Sequence, residues 1–278
     1  MPEEVVRFFM SGGEPESMVD GTAGHGGHLA ALLEALPGTR FIALDRDPDS
    51  CEHLRRRFEG HPGVTVRNSS FSKLPEVLLE IGISRAGAAF FDLGLSSSQL
   101  DDPSRGFSHS TEGPLDMRFD RGSGGVTAAD IINRSSERQL ADIFHRFGQE
   151  RHSRAIARAV VRERPFELTT QLAFTISRCV RSHHVKTLSR IFQALRIAVN
   201  DELDELAKLL GTLAGVLAPG APVAFLTFHS IEDRMVKLEL RDSGSFIPGK
   251  PFFLRPSGAE SVGNPRARSA MLRTGYRR

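Results

Sequence analysis

The sequence predicts an α/β protein: a mostly parallel sheet covered on both faces, interrupted by an inserted all-helical domain. Three observations carry this. Short apolar strands alternate with single helices over the first hundred residues, as βαβ units do. The alternation stops after Ala86–Leu93, and the next convincing strand, Val223–Phe228, comes about 130 residues later, far more than one crossover helix needs. The intervening stretch has helical periodicity.

In chain order, Ser17–Asp20 is a short strand ending in a glycine-rich turn, and Leu29–Leu36 is a helix closed by Pro37-Gly38. Arg40–Asp45 is a buried-type strand. Pro48 opens the next helix, where its missing N–H costs nothing. Val64–Val66 is a third strand, Lys73–Ile81 a helix and Ala86–Leu93 a fourth, strongly apolar strand. A Gly/Ser/Asp-rich stretch at 101–125 precedes helices at about 137–147, 149–163, 169–181 and 188–215. In the last of these, Leu203, Leu206, Leu210, Leu213 and Leu217 repeat at helical spacing, so it is expected to return to the sheet. The boundaries expected are 1–105 for the first part of the sheet domain, 106–197 for the insert and 198–278 for the second part, with a final short strand near Met271–Tyr276.

Composition narrows the function. Forty per cent apolar and 25% charged residues are ordinary for a globular chain, and no apolar run is long enough to span a membrane. The opening MPEEVVRFFM carries two acids and no apolar core, so it reads as neither a secretory nor a transit signal; a cytoplasmic protein is expected. Two cysteines, Cys51 and Cys179, cannot build a disulfide framework or a cysteine zinc site. The net charge of +2 hides segregation: 134–196 carries +8, 246–278 carries +6, and the remainder −12. Two basic surfaces on an acidic body point to a polyanion partner.

The turn Asp20-Gly-Thr-Ala-Gly24-His-Gly26-Gly27-His28 follows strand one and opens a helix, and Asp45 ends strand two. Glycines admit close approach of a ligand, the helix start offers free N–H groups, and an acid at the second strand end can bind ribose hydroxyls. The spacing is acid, three residues, G-x-G, not the dinucleotide G-x-G-x-x-G. Asp20 would repel a pyrophosphate but could meet an ammonium, which favours S-adenosyl-L-methionine over NAD. His25 and His28 lack a third ligand nearby, and no metal is expected. Strand four runs into Asp92-Leu-Gly-Leu-Ser96-Ser97-Ser98-Gln99, so Asp92 and the serines either face a substrate or cap a helix.

The segment DLGLSSSQLDDPSRGFSHSTEGPLDMRFD (92–120) resembles the signature of the RsmH (MraW) family. DGTAGHGGH (20–28), ALDRDP (43–48), FQALRIAVNDELDEL (192–206), LAPG (217–220), FHSIEDRMVK (228–237) and NPRARSAMLR (264–273) are similar to it too. The resemblance covers essentially the whole chain. It implies a Rossmann-like class I methyltransferase sheet. The activity it implies is S-adenosylmethionine-dependent methylation of N4 of one cytidine in the decoding centre of small-subunit rRNA, with the RNA or the small ribosomal particle as partner and no DNA. Implied cofactor contacts are Gly24, Gly26, Gly27, His28, Asp45, Phe71, Asp92 and Gln99. The insert is implied to help hold the cytidine.

Chemistry suggests roles. Cytosine N4 is a poor nucleophile, and an acceptor bonded to the amine would localise its lone pair. Asp92 is the first candidate, through its side chain or by orienting adjoining carbonyls; Ser96 and Ser97 would position substrate. His229, at the end of strand five, would receive the proton, contact the base or cap the following helix. Neither cysteine falls at a strand end; both read as buried or neutral, which opposes C5 chemistry through a covalent adduct. Arg151, Arg154, Arg158 and Arg162 place four guanidiniums on one helix face opposite Ile156 and Val160, suited to tracking phosphate; Arg266 and Arg268 in the tail would do the same or pair with the acidic body. The competing readings are an NAD-dependent oxidoreductase and a non-catalytic RNA-binding module. Nothing in the pattern indicates oligomeric state.

Overall fold

The computed structural model describes residues 1–180 and 184–278. In chain order it forms α1 (Pro2–Met10), β1 (Ser17–Asp20), α2 (Gly27–Ala35), β2 (Arg40–Asp45), α3 (Pro48–Arg57), β3 (Val64–Asn68), α4 (Leu74–Glu80), β4 (Ala88–Asp92) and α5 (Ser97–Asp101). There follow α6 (Ala128–Arg134), α7 (Glu137–Arg146), α8 (Ser153–Glu163), α9 (Thr169–Cys179), α10 (His184–Asn200) and α11 (Glu202–Val216). The chain closes with β5 (Pro222–Thr227), α12 (Ser230–Asp242), β6 (Phe246–Leu254), α13 (Gly258–Gly263) and β7 (Met271–Arg277).

The chain divides into two compact units: Met1–Gly94 with Asp204–Arg278, and Leu95–Leu203. The first contains one seven-stranded sheet of order β3-β2-β1-β4-β5-β7-β6. β1 to β5 are parallel and β7 is antiparallel to both neighbours. Parallel strands are buried on both faces, so successive residues serve opposite cores. Val19, Ile42, Phe91 and Phe225 join α4, α11 and α12 on one face. Met18, Phe41, Phe90 and Leu226 join α1 and α2 on the other.

The second unit is helical, with its own core built from Leu140, Phe144, Ile156, Val160, Leu172, Ile176, Ile191 and Leu195. α7 shows why these helices form. A capping box between Ser136 and Gln139 satisfies its first N–H groups, and Leu140, Ala141 and Phe144 make one buried face.

Four details differ from the sequence reading. The helical unit begins at Leu95 and ends at Leu203, so it takes in the Ser run and the rest of the signature segment after Gly94, of which the sequence boundaries of 106 and 197 left residues 95–105 in the sheet domain. The helix expected at 188–215 is two, α10 and α11, parted at Asp201, whose φ of 51° is left-handed and stops the α-helical path. The helix expected from 149 starts at Ser153, because Gln149 also has a left-handed φ of 51°. Phe246–Leu254, read as a Pro- and Gly-rich tail, is an edge strand. Its register against β7 shifts between Pro248 and Phe253, so two prolines fit where central pairing would exclude them.

Candidate active site

The parallel register brings the acid-ended strands level. Asp20 lies beside Ala43 and Phe90, Asp45 beside Asn68, and Asp92 beside Leu226, all at the carboxyl edge. Strand order reverses between β1 and β4, and the crevice outside such a switch point is where open α/β sheets bind ligands.

Between β1 and α2 the chain turns through Gly24 and Gly26, with left-handed φ of 52° and 77°. A Cβ on Gly26 would lie 2.7 Å from the Phe58 ring, so only glycine fits there. Asp45 pins this turn: its Oδ2 accepts from the Gly24 N–H at 2.8 Å and its Oδ1 from the Asp47 N–H at 2.8 Å. Gly27 has open space around its Cα. His25 stacks on His53 with ring centroids 4.1 Å apart, and Arg57 donates to its carbonyl. Among the described residues no group of three or more His, Cys, Asp or Glu could hold a metal.

Asp20, His28 and Asp92 form the polar centre. The His28 Nδ1 is 3.3 Å from Asp92 Oδ2, and its ring meets the edge of Phe90. Thr22 joins the two acids: its N–H donates to Asp20 Oδ1, and its hydroxyl accepts from the Asp92 N–H. Three buried polar atoms here have no hydrogen-bond partner: Asp20 Oδ2, His28 Nε2 and Asp92 Oδ1. Buried polar groups are nearly always satisfied, so such a cluster marks a place built for a polar ligand. Asp20 is 1% exposed, and burial pushes its carboxyl up to about 7 against the downward pull of His28.

Phe71 begins a single 3₁₀ turn after β3, half-buried, its ring 6.2 Å from Phe91. Ser70 and Ser72, on either side of it, both donate to Glu205 Oε2 on α11. Burial alone would push that carboxyl up, but the hydrogen bonds from Ser70, Ser72 and Lys208 outweigh it and hold it at about 2. Sequence reasoning missed Thr22 and Glu205. An isolated Thr in a glycine-rich turn carries no signal, and Glu205 is 133 residues from Ser72.

His229 caps α12: Nδ1 accepts from the Glu232 N–H at 3.4 Å, and Nε2 is 3.1 Å from Glu232 Oε2. Glu232 Oε1 in turn accepts from the N–H groups of Phe228 and His229. Asp233 next to it takes a two-pronged bond from Arg273.

In the helical unit, Ser96 and Gln99 make a capping box at the start of α5. Gln99 is buried, and Ser97 is exposed. The signature loop is ordered from within: Asp116 grips Arg118 through two bonds of 2.8 Å, and Asn200 donates to the Met117 carbonyl and accepts from the Phe119 N–H.

Ile156 and Val160 are fully buried, and Arg154, Arg158 and Arg162 lie on the outer side of α8. Arg151, expected on the same helix face, sits in the turn before Ser153, because Gln149 delays the helix; the ridge on α8 itself is three arginines long. Arg158 is 3.5 Å from Glu137 and Arg162 3.1 Å from Glu163, whereas Arg151 and Arg154 have no carboxylate within ion-pair distance among the described residues. Arg268 is exposed; the side chain of Arg266 lies outside the described residues. Cys51 is buried, donating to the Asp45 carbonyl, and burial pushes its thiol up to about 11. Cys179 is exposed, not buried, and its thiol is also raised, so both are neutral at physiological pH.

A mostly parallel sheet with an antiparallel β7 between β5 and β6, a glycine turn tied to an acid-ended second strand, and an inserted helical unit define a Rossmann-like fold of methyltransferase type. The family model described as the MraW methylase family matches residues 1–277, and the chain belongs to that family. It is 44% identical over 285 residues to the ribosomal RNA small subunit methyltransferase H of Rhodospirillum centenum, covering 94% of this chain and 86% of that protein. It is 43% identical over 284 residues to the protein of the same name from Thioalkalivibrio sulfidiphilus, covering 93% and 90%. Similar solved structures include an rRNA methylase from Streptococcus thermophilus, with TM-score 0.48 and 10% identity over 100% of this chain and 96% of that one. Another is the N-methyltransferase NodS from Bradyrhizobium japonicum WM9 with S-adenosyl-l-homocysteine, with TM-score 0.49 and 7% identity over 99% and 85%.

Proposed function

We propose that this methyltransferase acts on the N4 amine of a cytidine in the decoding centre of small-subunit rRNA, with S-adenosylmethionine as methyl donor. The observation that carries the site is the trio of partnerless buried atoms on Asp20, His28 and Asp92 at the sheet's switch point. Two open carboxylate oxygens suit a cationic ligand, and the remaining nitrogen suits one that also has hydrogen-bonding groups. The rRNA reading is supported by relatives above 40% identity named as small-subunit rRNA methyltransferases. The strand order also departs from the 3-2-1-4-5-6 of dinucleotide folds, which opposes the oxidoreductase reading.

S-adenosylmethionine supplies an electrophilic methyl group on a sulfonium. Asp20 would meet its ammonium, the Gly24–Gly27 turn would admit its backbone-side groups, Asp45 would meet ribose hydroxyls alongside its bonds to the Gly24 and Asp47 N–H groups, and Phe71 would flank the adenine. Asp92 holds one oxygen towards His28 and leaves Oδ1 open. That oxygen accepts from the cytosine amine, localises the nitrogen lone pair and offsets the positive charge that grows on nitrogen. Transfer would form the N–C bond as the donor's C–S bond breaks, and the surplus amine proton would leave by way of Asp92 or solvent. Ser96 and Ser97 position substrate, and Gln99 keeps Ser96 in place through the capping box. His229 serves by holding the β5–α12 turn, since both ring nitrogens face Glu232. The helical unit would meet RNA phosphate through Arg154, Arg158, Arg162 and the nearby Arg151, and the tail arginines Arg266 and Arg268 are proposed for the same kind of contact.

The test is mass spectrometry of small-subunit rRNA from cells with and without the protein, paired with transfer of labelled methyl by the purified protein. Label in N4-methylcytidine at one decoding-centre position is expected. Label on C5 of cytosine, or none in small-subunit rRNA, overturns the reading.

A further inference from the structure

Within the helical unit, α9 turns an aromatic ring outward. Leu172, Ala173, Thr175 and Ile176 are buried, but Phe174 is 63% exposed. Arg178, one turn on, lies over the Phe174 ring with its guanidinium carbon 5.6 Å from the ring centre. Glu163, at the end of α8, ties the pair to the arginine ridge: it accepts from the Thr175 hydroxyl at 2.9 Å, lies 3.8 Å from Arg178 and 3.1 Å from Arg162. An exposed phenylalanine thus lies under one guanidinium, which shares a carboxylate with a second.

A solvated helix face does not require a bare aromatic ring, and leaving one in water is unfavourable. Its setting identifies the occupant. The surrounding stretch 134–196 carries a net +8, which complements a polyanion and opposes a basic or neutral protein surface. Rings flanked by arginines are how proteins hold unpaired bases: the ring stacks and the guanidiniums take the adjoining phosphates. We infer that Phe174, with Arg178 and Arg162, is a stacking platform for an unpaired base of the RNA substrate. The inference rests on the rRNA reading and adds an interaction that the ridge alone does not supply. A ridge of arginines tracks phosphate in any strand; a ring discriminates single-stranded from paired RNA.

The chain has no tryptophan, so Phe174→Trp places a sole indole at the platform. Its fluorescence should be quenched by oligoadenylate and left nearly unchanged by the oligoadenylate–oligouridylate duplex. Phe174→Ala should weaken oligoadenylate binding by roughly five- to 150-fold, the range for loss of one stacked base, with cofactor affinity unchanged. Arg162→Gln plus Arg178→Gln should flatten the salt dependence by about 0.7 in log–log slope for each phosphate left without its arginine. Unquenched indole with wild-type affinity in Phe174→Ala overturns the platform. So does a wild-type protein that sediments as a dimer which Phe174→Ala dissociates, because the face then belongs to a second copy. Methylation of small-subunit rRNA by the wild type, run alongside, separates the two readings: rRNA methylated while both Phe174 variants bind RNA normally removes the platform alone.

Discussion

At the scale of single residues, the centre is set by how little it is satisfied. Asp92 is held on one side by His28 and open on the other, so its removal takes away an acceptor without opening a core. Asp92→Ala should lower methyl transfer on the order of 100- to 1,000-fold, the cost of losing one charge-stabilising group, with melting temperature and RNA binding near wild type. Single-turnover transfer beside thermal melting checks this, and activity within a few-fold of wild type removes Asp92 from the mechanism. Asp20 makes a different prediction. Unfolded, its carboxyl loses its proton near 3.8; buried, it keeps it to about 7. Between those values the folded state holds more protons, so stability falls as pH rises through about 4 to 7. Asp20→Asn should remove that part of the slope. Cofactor-free melting curves across the window would show it, and an unchanged slope would mean that Asp20 titrates normally.

At the scale of elements, the polar ties reach between segments remote in sequence. Glu205 on α11 grips the hydroxyls that flank Phe71. Its carboxyl is held at about 2 against an ordinary 4.5, so this contribution is complete above the ordinary value and is lost as pH falls towards 2. Glu205→Gln should therefore melt below wild type at neutral pH, with the gap closing on acidification, and cofactor affinity should drop through loosening of the Phe71 turn. A constant gap at all pH values would point to packing instead. On α8, Arg158 reaches Glu137 only as an exposed pair, worth roughly 0–1 kcal/mol. Arg154→Gln plus Arg158→Gln should thus leave melting nearly unchanged and raise the apparent KM for RNA, with a smaller deficit at higher salt. A lower melting point with a wild-type KM would make the ridge structural.

At the scale of the whole molecule, the chemistry should be independent of both thiols. Cys51 is buried with its thiol pushed up to about 11, and Cys179 is exposed on α9 with its thiol raised. The doubly substituted Cys51→Ala, Cys179→Ala protein should methylate rRNA with wild-type kcat, checked by labelled-methyl transfer. A folded but inactive variant, with a trappable RNA adduct in the wild type, would reverse the direct-transfer mechanism. The class of fold was legible in the chain alone, because short apolar strands, a glycine turn and acids at strand ends are local patterns that burial enforces one residue at a time. So was the family, through motifs spread from end to end. The break at Asp201 and the late start of α8 were not, since both rest on left-handed backbone at Asp201 and Gln149, residues whose side chains allow a helix equally well. How the chemically eligible side chains are employed emerged only when the strands and helices came together. Ser96, which read as facing a substrate or capping a helix, caps α5, and Asp45, the expected ribose contact, also pins Gly24. Asp20, His28 and Asp92 each hold a buried atom without a hydrogen-bond partner. The reason is that satisfaction of a polar atom is settled by neighbours distant in sequence. Strand pairing brings β1 and β4 side by side from 70 residues apart, so the Thr22 hydroxyl meets the Asp92 N–H while Asp92 Oδ1 is left without a partner.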